Sequence, residues 1–187
     1  MPVTLILVVA VLVALAGAAA DLFILIARRN RATQSWRVVD TLLQRRHALV
    51  AMLLDDARGP EAEPVRAARR AAISAGVLTD PAGTARAEQH LMTAVARLAD
   101  AAGRRPGLRG DARLHAPMDR LRALDRPLEA AIGDFNGWVA GYRRVATRFP
   151  GPLLTSAFDL RPLAAYAVGE PDPAPRRPVV APAGEPA

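Results

Sequence analysis

Residues 3–27 read VTLILVVAVLVALAGAAADLFILIA, an apolar run interrupted only by Thr4 and Asp21. As a helix this run rises about 37 Å, enough for a bilayer core of about 30 Å. A lone span must satisfy its own backbone, so a helix is the form it takes. Asp21 lies near the end of the run, where its carboxylate reaches the interface, and Arg28, Arg29 and Arg31 follow at once. The small residues of AGAAAD fit a signal-peptidase site. No basic residue precedes the run, however, and it resumes as LFILIA. The pattern therefore predicts a retained transmembrane anchor over 1–27. Basic side chains occur only C-terminal to it, which predicts the N-terminus outside and the remainder in the cytoplasm.

Beyond Arg28 the apolar positions recur at helical spacing, and no period-2 strand stands out. A first amphipathic helix continues from the anchor to about Arg58, with Trp36, Val39, Leu43, Arg46, Val50, Leu53 and Ala57 on one stripe. Gly59 and Pro60 end it. A second, Ala/Arg-rich helix covers about 61–77, TDPAGT at 79–84 forms a loop, and a third helix covers about 84–103. Ala87, Leu91, Ala94, Val95, Leu98 and Ala102 mark the apolar side of the third. GRRPGLRGD at 103–111 is the next turn.

The fourth helix is predicted over 112–149. Its seam positions 118, 121, 125, 128, 132, 135, 139, 142, 146 and 149 hold Met, Leu, Asp, Leu, Ile, Phe, Val, Tyr, Ala and Phe, an a/d pattern polar only at Asp125. By this pattern Phe135, Tyr142 and Phe149 all face the core. Pro117 fits a first turn, Pro127 is expected to kink or restart the helix near Asp125, and Pro150 stops it. A short helix follows at about 152–158. The predicted architecture is all-α: an N-terminal transmembrane helix, an antiparallel four-helix bundle with coiled-coil-like packing over 28–166, and a Pro-rich disordered tail over 167–187.

Composition narrows the function classes. All 25 basic residues are Arg, which with abundant Ala, Pro and Gly points to a GC-rich bacterial coding sequence. The basic excess is then mainly coding bias, and no specific nucleic-acid partner is expected. The absence of Cys excludes disulfides and thiolate chemistry. His47, His90 and His115 form neither HExxH nor the Glu-x-x-His pair of di-iron bundles, and no phosphate-binding loop occurs. No enzyme activity, cofactor, metal or small-molecule substrate is expected. Two charges fall on apolar stripes, Arg46 and Asp125. Each needs a partner, and in an antiparallel pairing they lie at comparable heights. As a register-setting pair alone, Arg46 should tolerate replacement by Met. Asp40 and Asn136 are further candidates for a polar seam or interaction site.

Three stretches carry a resemblance: RRNRATQSWRVVDTLLQRRHALV at 28–50, AEQHLMTAVARLADA at 87–101, and FNGWVAGYRRVATRFPGPLLTSAFDLRP at 135–162. Trp36, Asp40 and the Arg45-Arg46 pair, followed by Phe135-Asn136, Tyr142-Arg143 and Phe149-Pro150, resemble the pattern of the LemA family over about residues 22–166. Arg143 stands where that pattern has a second Asn, the region 59–64 is shorter, and Pro117 and Pro127 are additions. The resemblance implies one N-terminal membrane helix and a helical bundle in a bacterial protein. The expected function is a membrane-anchored helical scaffold or interaction protein at the bacterial inner membrane, with protein partners. The alternative is a binder of anionic lipid or another polyanion through an Arg-rich surface. Residues 28–187 carry a formal +8, one more than the whole chain's +7, because Asp21 precedes them.

Overall fold

The computed structural model describes residues 2–57, 60, 62–76, 80–104, 112–160 and 162–167. Among them the chain is all-α, with five helices: α1 Pro2–Asp56, α2 Ala62–Ala75, α3 Pro81–Gly103, α4 Ala112–Ala146 and α5 Gly151–Ala157. Gly59, the turn residues 105–111 and the tail beyond 167 lie outside the described residues.

α1 is one unbroken helix with two unlike halves. Val3, Leu5, Ile6, Leu7, Leu12 and Leu15 are exposed, whereas Trp36, Val39, Leu43, Arg46, Val50, Leu53 and Ala57 are all buried. No helix breaker interrupts the passage from one half to the other. α1 is long and apolar enough to cross a membrane.

α3 begins at Pro81, three residues before the predicted start. Asp80 Oδ1 accepts from the Gly83 backbone N–H at 2.8 Å, and Pro81 supplies the fixed φ of a first helical residue. Asp80 is thus a cap and residues 81–84 are the first turn of a helix, so the loop reading of residues 81–84 is corrected. Thr84 Oγ1 donates to the Ala75 carbonyl at 2.5 Å and ties the start of α3 to the end of α2.

α4 differs from expectation at both prolines and at its end. Pro117 and Pro127 lie inside one continuous helix, and there is no restart near Asp125. Pro127 is exposed, as is Ala123, whose carbonyl loses its helical donor, so water can take that bond. Buried Leu121 and Leu128 hold the helix on either side. α4 stops at Ala146, and residues 147–150 form a turn with a cis Phe149–Pro150 bond. Phe149 therefore leaves the helical period and is 81% exposed, not in the core.

The turn into α5 requires glycine. A Cβ on Gly151 would collide with the backbone carbonyls of Val145 and Ala146, atoms that cannot move aside. α5 ends with Asp159 at φ 46°, and the Leu160 N–H donates to the Thr155 carbonyl at 2.9 Å. This left-handed cap turns the chain back along α4.

α4 packs chiefly on α1, and α3 on α2. Trp36 meets Phe135 with ring centroids 5.1 Å apart, and Arg46 meets Asp125 at 3.1 Å, so positions rise along α1 as they fall along α4. The buried side chains form two clusters. One holds Trp36, Val39, Leu43, Leu128, Phe135 and Val139; the other holds Val50, Leu53, Val65, Leu91, Val95 and Leu121.

Candidate functional site

The boundary between the two clusters is polar. On α1 it falls between Leu43 and Val50, on α3 between Ala85 and Leu91, and on α4 between Leu121 and Leu128. Arg46, His47, Glu88 and Asp125 occupy those gaps. Arg46 NH2 donates to Asp125 Oδ1 at 3.1 Å, and its NH1 stands 3.6 Å from Glu88 Oε2. His47 Nε2 and Glu88 Oε1 share a hydrogen bond of 2.5 Å. From α2, Arg69 Nε donates to the His47 carbonyl at 2.9 Å. All four long helices therefore contribute to one layer.

Burial grades the members. Glu88 is 2% exposed, with Arg46 and His47 nearly as enclosed, while the Asp125 side chain is 48% exposed. The strong desolvation cost falls on Glu88 and Arg46, and their mutual charge is the main compensation. Arg46 Nε and Glu88 Oε2 are buried with no hydrogen-bond partner of their own. Arg46 thus hydrogen-bonds the half-exposed Asp125 and faces the buried Glu88 as an ion pair without a hydrogen bond. With Glu88 added to the pair, replacing Arg46 by Met is expected to strand a buried carboxylate and to destabilise the fold.

The layer opens on a cleft of about 190 Å³ bordered by Arg46, Glu88, Asp125, Leu128 and Tyr166. The one guanidinium at its floor is already engaged by two carboxylates, so it is not poised for an anion. Among the described residues no group of His, Asp and Glu has metal-binding geometry.

A second polar system straps the C-terminal segment, Leu160 and residues 162–167, onto α4. Asn136 Nδ2 donates to the Tyr166 carbonyl at 3.0 Å, and the Tyr166 N–H donates to Asn136 Oδ1 at 2.8 Å. Arg143 Nε donates to the Leu163 carbonyl at 2.8 Å, and the Tyr142 hydroxyl to the Leu160 carbonyl at 3.1 Å. Asn136 and Arg143 stand seven residues, or about 10.5 Å, apart on the helix. Leu163 and Tyr166 stand three residues apart, about 10 Å when extended. The seven-residue spacing thus matches a strand-like strap running against α4. Its Tyr166 ring lies 6.3 Å from Trp36, closing one end of the core. Asn136→Ala should remove both bonds to Tyr166 and cost about 2–3 kcal/mol. Faster hydrogen exchange at the Tyr166 amide, with α1 and α3 unchanged, is the expected readout.

Both tyrosines titrate high. Burial pushes the Tyr166 hydroxyl up to about 12, with Glu88 adding to the shift and Arg46 opposing it. Burial also raises Tyr142, against the pull of Arg29 beside it. Tyrosine is neutral when protonated, so a raised value in the folded state means stability that is full below about pH 10 and lost as pH rises through about 12. The Tyr166 shift corresponds to about 2–3 kcal/mol. The chain has no Lys and no Cys, and Arg stays charged, so tyrosine dominates that window. Stability should fall between pH 10 and 12, and Tyr166→Phe should flatten the fall. Denaturant midpoints across that range, with tyrosinate absorbance, check it.

Of the residues singled out in the sequence, the structure brings Arg46 and Asp125 together. It places Asn136 in the strap. Asp40 is apart from both systems, partly exposed and hydrogen-bonded to Gln44 at 2.8 Å. Glu88, His47, Arg69 and Tyr166 were missed. Glu88 had a readable signal: Ala85, Glu88, Leu91, Val95 and Leu98 share the buried face of α3. The Ala-rich stripe through Ala87 and Ala94 obscured it, because those alanines are only partly buried.

No curated protein matches this chain. The family model for LemA matches residues 35–181, a stretch that takes in Arg46, Glu88, Asp125, Asn136 and Arg143. With well over half of its length matched in this way, the chain belongs to the LemA family.

Proposed function

We propose that this chain is a single-pass, membrane-anchored helical scaffold of the bacterial inner membrane that holds protein partners at the bilayer surface. Its four long helices would form an antiparallel bundle with a coiled-coil-like seam, oriented toward the cytoplasm. The observation that carries this reading is the continuity of α1. Its exposed apolar half runs without a break into the half that supplies Trp36, Val39, Leu43 and Val50 to the core. A bundle joined this way has a fixed height and direction relative to the membrane, whereas a flexible linker would let it wander. No catalytic role is assigned. The opposite running of α1 and α4 and the charged layer across four helices support the bundle arrangement.

Two measurements test the proposal. Full-length protein should resist alkaline carbonate extraction from membranes, and deletion of residues 2–27 should release it. A truncated chain still resisting carbonate would overturn the single-anchor reading. Photo-crosslinkers on exposed bundle positions in cells should then yield a discrete protein adduct that depends on the intact fold. Adducts to lipid alone would instead favour the polyanion-binding alternative.

A further inference from the structure

The register between α1 and α4 sets the height of everything attached to α4. Trp36 faces Phe135, Arg29 hydrogen-bonds Tyr142, and Arg28 fills the space that a side chain on Gly141 would take. Continued to the end of α4, this register puts Ala146 level with about Leu25. Leu25 is 0% exposed although it lies inside the apolar run 3–27, while Phe23 beside it is 78% exposed. Folded chain therefore covers one side of the anchor's last turns, and α5 makes contact with α1.

The segment at that height is unusually apolar on its outside. Phe149 is 81%, Leu153 63% and Phe158 55% exposed. They lie on or beside α5, and Phe23, Ile24 and Ile26 are exposed on α1 at the height to which the α1–α4 register carries the end of α4. Arginines collar the same level: Arg28, Arg29 and Arg31 on α1, with exposed Arg144 and Arg148 on and just beyond α4. Apolar side chains backed by a cationic rim are the composition of a segment lying in the headgroup region.

We infer that the turn and short helix over residues 147–159 dip into the boundary between headgroups and acyl chains of the bilayer that α1 spans. This gives the bundle a second membrane contact, made through Phe149, Leu153 and Phe158. The inference rests on the reading of α1 as a membrane anchor. The occupant of the patch is lipid, because the α1–α4 register brings it to the height of the span's last turns and its rim is cationic. Two contacts to one bilayer fix the bundle's rotation about α1 as well as its height.

The natural absence of cysteine allows a direct test on the full-length chain. Single cysteines at Val13, Leu153, Phe158 and Ala96, all exposed positions, are labelled with an environment-sensitive fluorophore. The proteins are reconstituted in phosphatidylcholine–phosphatidylglycerol vesicles carrying nitroxide quenchers either shallow or deep on the acyl chain. Labels at 153 and 158 should lose most of their emission to the shallow quencher, and the label at 13 to the deep one. The label at 96 should respond to neither. If 13 is unquenched, the anchor reading fails. If 13 is quenched while 153 and 158 remain solvent-like, the second contact is overturned and the anchor stands. If 153 and 158 are shielded from water yet unquenched by either lipid, a second protein surface covers the patch, which also overturns the proposal.

Discussion

Glu88→Leu is expected to lower the unfolding free energy by about 3–5 kcal/mol, the usual consequence of removing one partner from a buried charge cluster. The carboxylate is 2% exposed and serves two neighbours at once, Arg46 at 3.6 Å and His47 at 2.5 Å. Leu fills similar space but leaves the Arg46 guanidinium with only Asp125, which is half in water. Arg46→Met should destabilise for the mirror reason, since Glu88 then keeps only His47. Replacing Arg46, His47 and Glu88 together by Met, Leu and Leu should recover most of the loss, because no buried charge is left stranded and Asp125 can stay hydrated. Urea unfolding of the full-length protein in micelles, followed by fluorescence of Trp36 and Trp138, measures all three. A triple variant as unstable as Glu88→Leu would show that shape at this level, and not charge, governs the cost.

The same layer explains why the helices meet in one register. Sliding α4 by one turn along α1 moves it about 5.4 Å. That shift would set the apolar Leu121 or Leu128 against Arg46 and withdraw Asp125 from it. Apolar clusters above and below tolerate such slips far better than a guanidinium does. A polar layer between two apolar blocks therefore makes neighbouring registers costly, the best-attested role for buried polar groups in helical assemblies. The triple variant is accordingly expected to be stable but more readily cleaved by protease at α4 than the native chain.

Much of this fold was legible along the chain because α1 and α4 carry strict stripes. All seven positions read from α1 are buried, including Arg46, so a charge on an apolar stripe was a reliable pointer to a partner. The partner's identity was only half legible. Asp125 lies on the seam of α4 and could be named, whereas Glu88 lay on a helix whose many alanines make several faces look apolar. The strap was invisible for a different reason. Its residues Leu163 and Tyr166 engage α4 through backbone groups, which carry no residue code, and only the seven-residue spacing of Asn136 and Arg143 hinted at it. Arg143, which stands where the resemblance expects a second Asn, donates to the strap's backbone.

The aromatic ladder supplies the sharpest contrast. Phe135→Ala should cost about 3–5 kcal/mol, whereas Phe149→Ala should change folding stability by no more than about 0.5 kcal/mol. Both stand on one seven-residue period, and the period alone assigns them the same role. Phe135 is 0% exposed and stacks at a tilt on Trp36 at 5.1 Å, so its removal opens a cavity where neither α1 nor the strap can easily close in. Phe149 lies three residues past the end of α4, in the turn that Gly151 makes possible, and faces outward. Chemical denaturation of each variant in micelles, followed by fluorescence of Trp36 and Trp138, separates them. Equal losses would mean that Phe149 packs in the core after all. The expected asymmetry would instead place the role of Phe149 outside folding stability, where the proposed lipid-facing role for the 147–159 segment accounts for it.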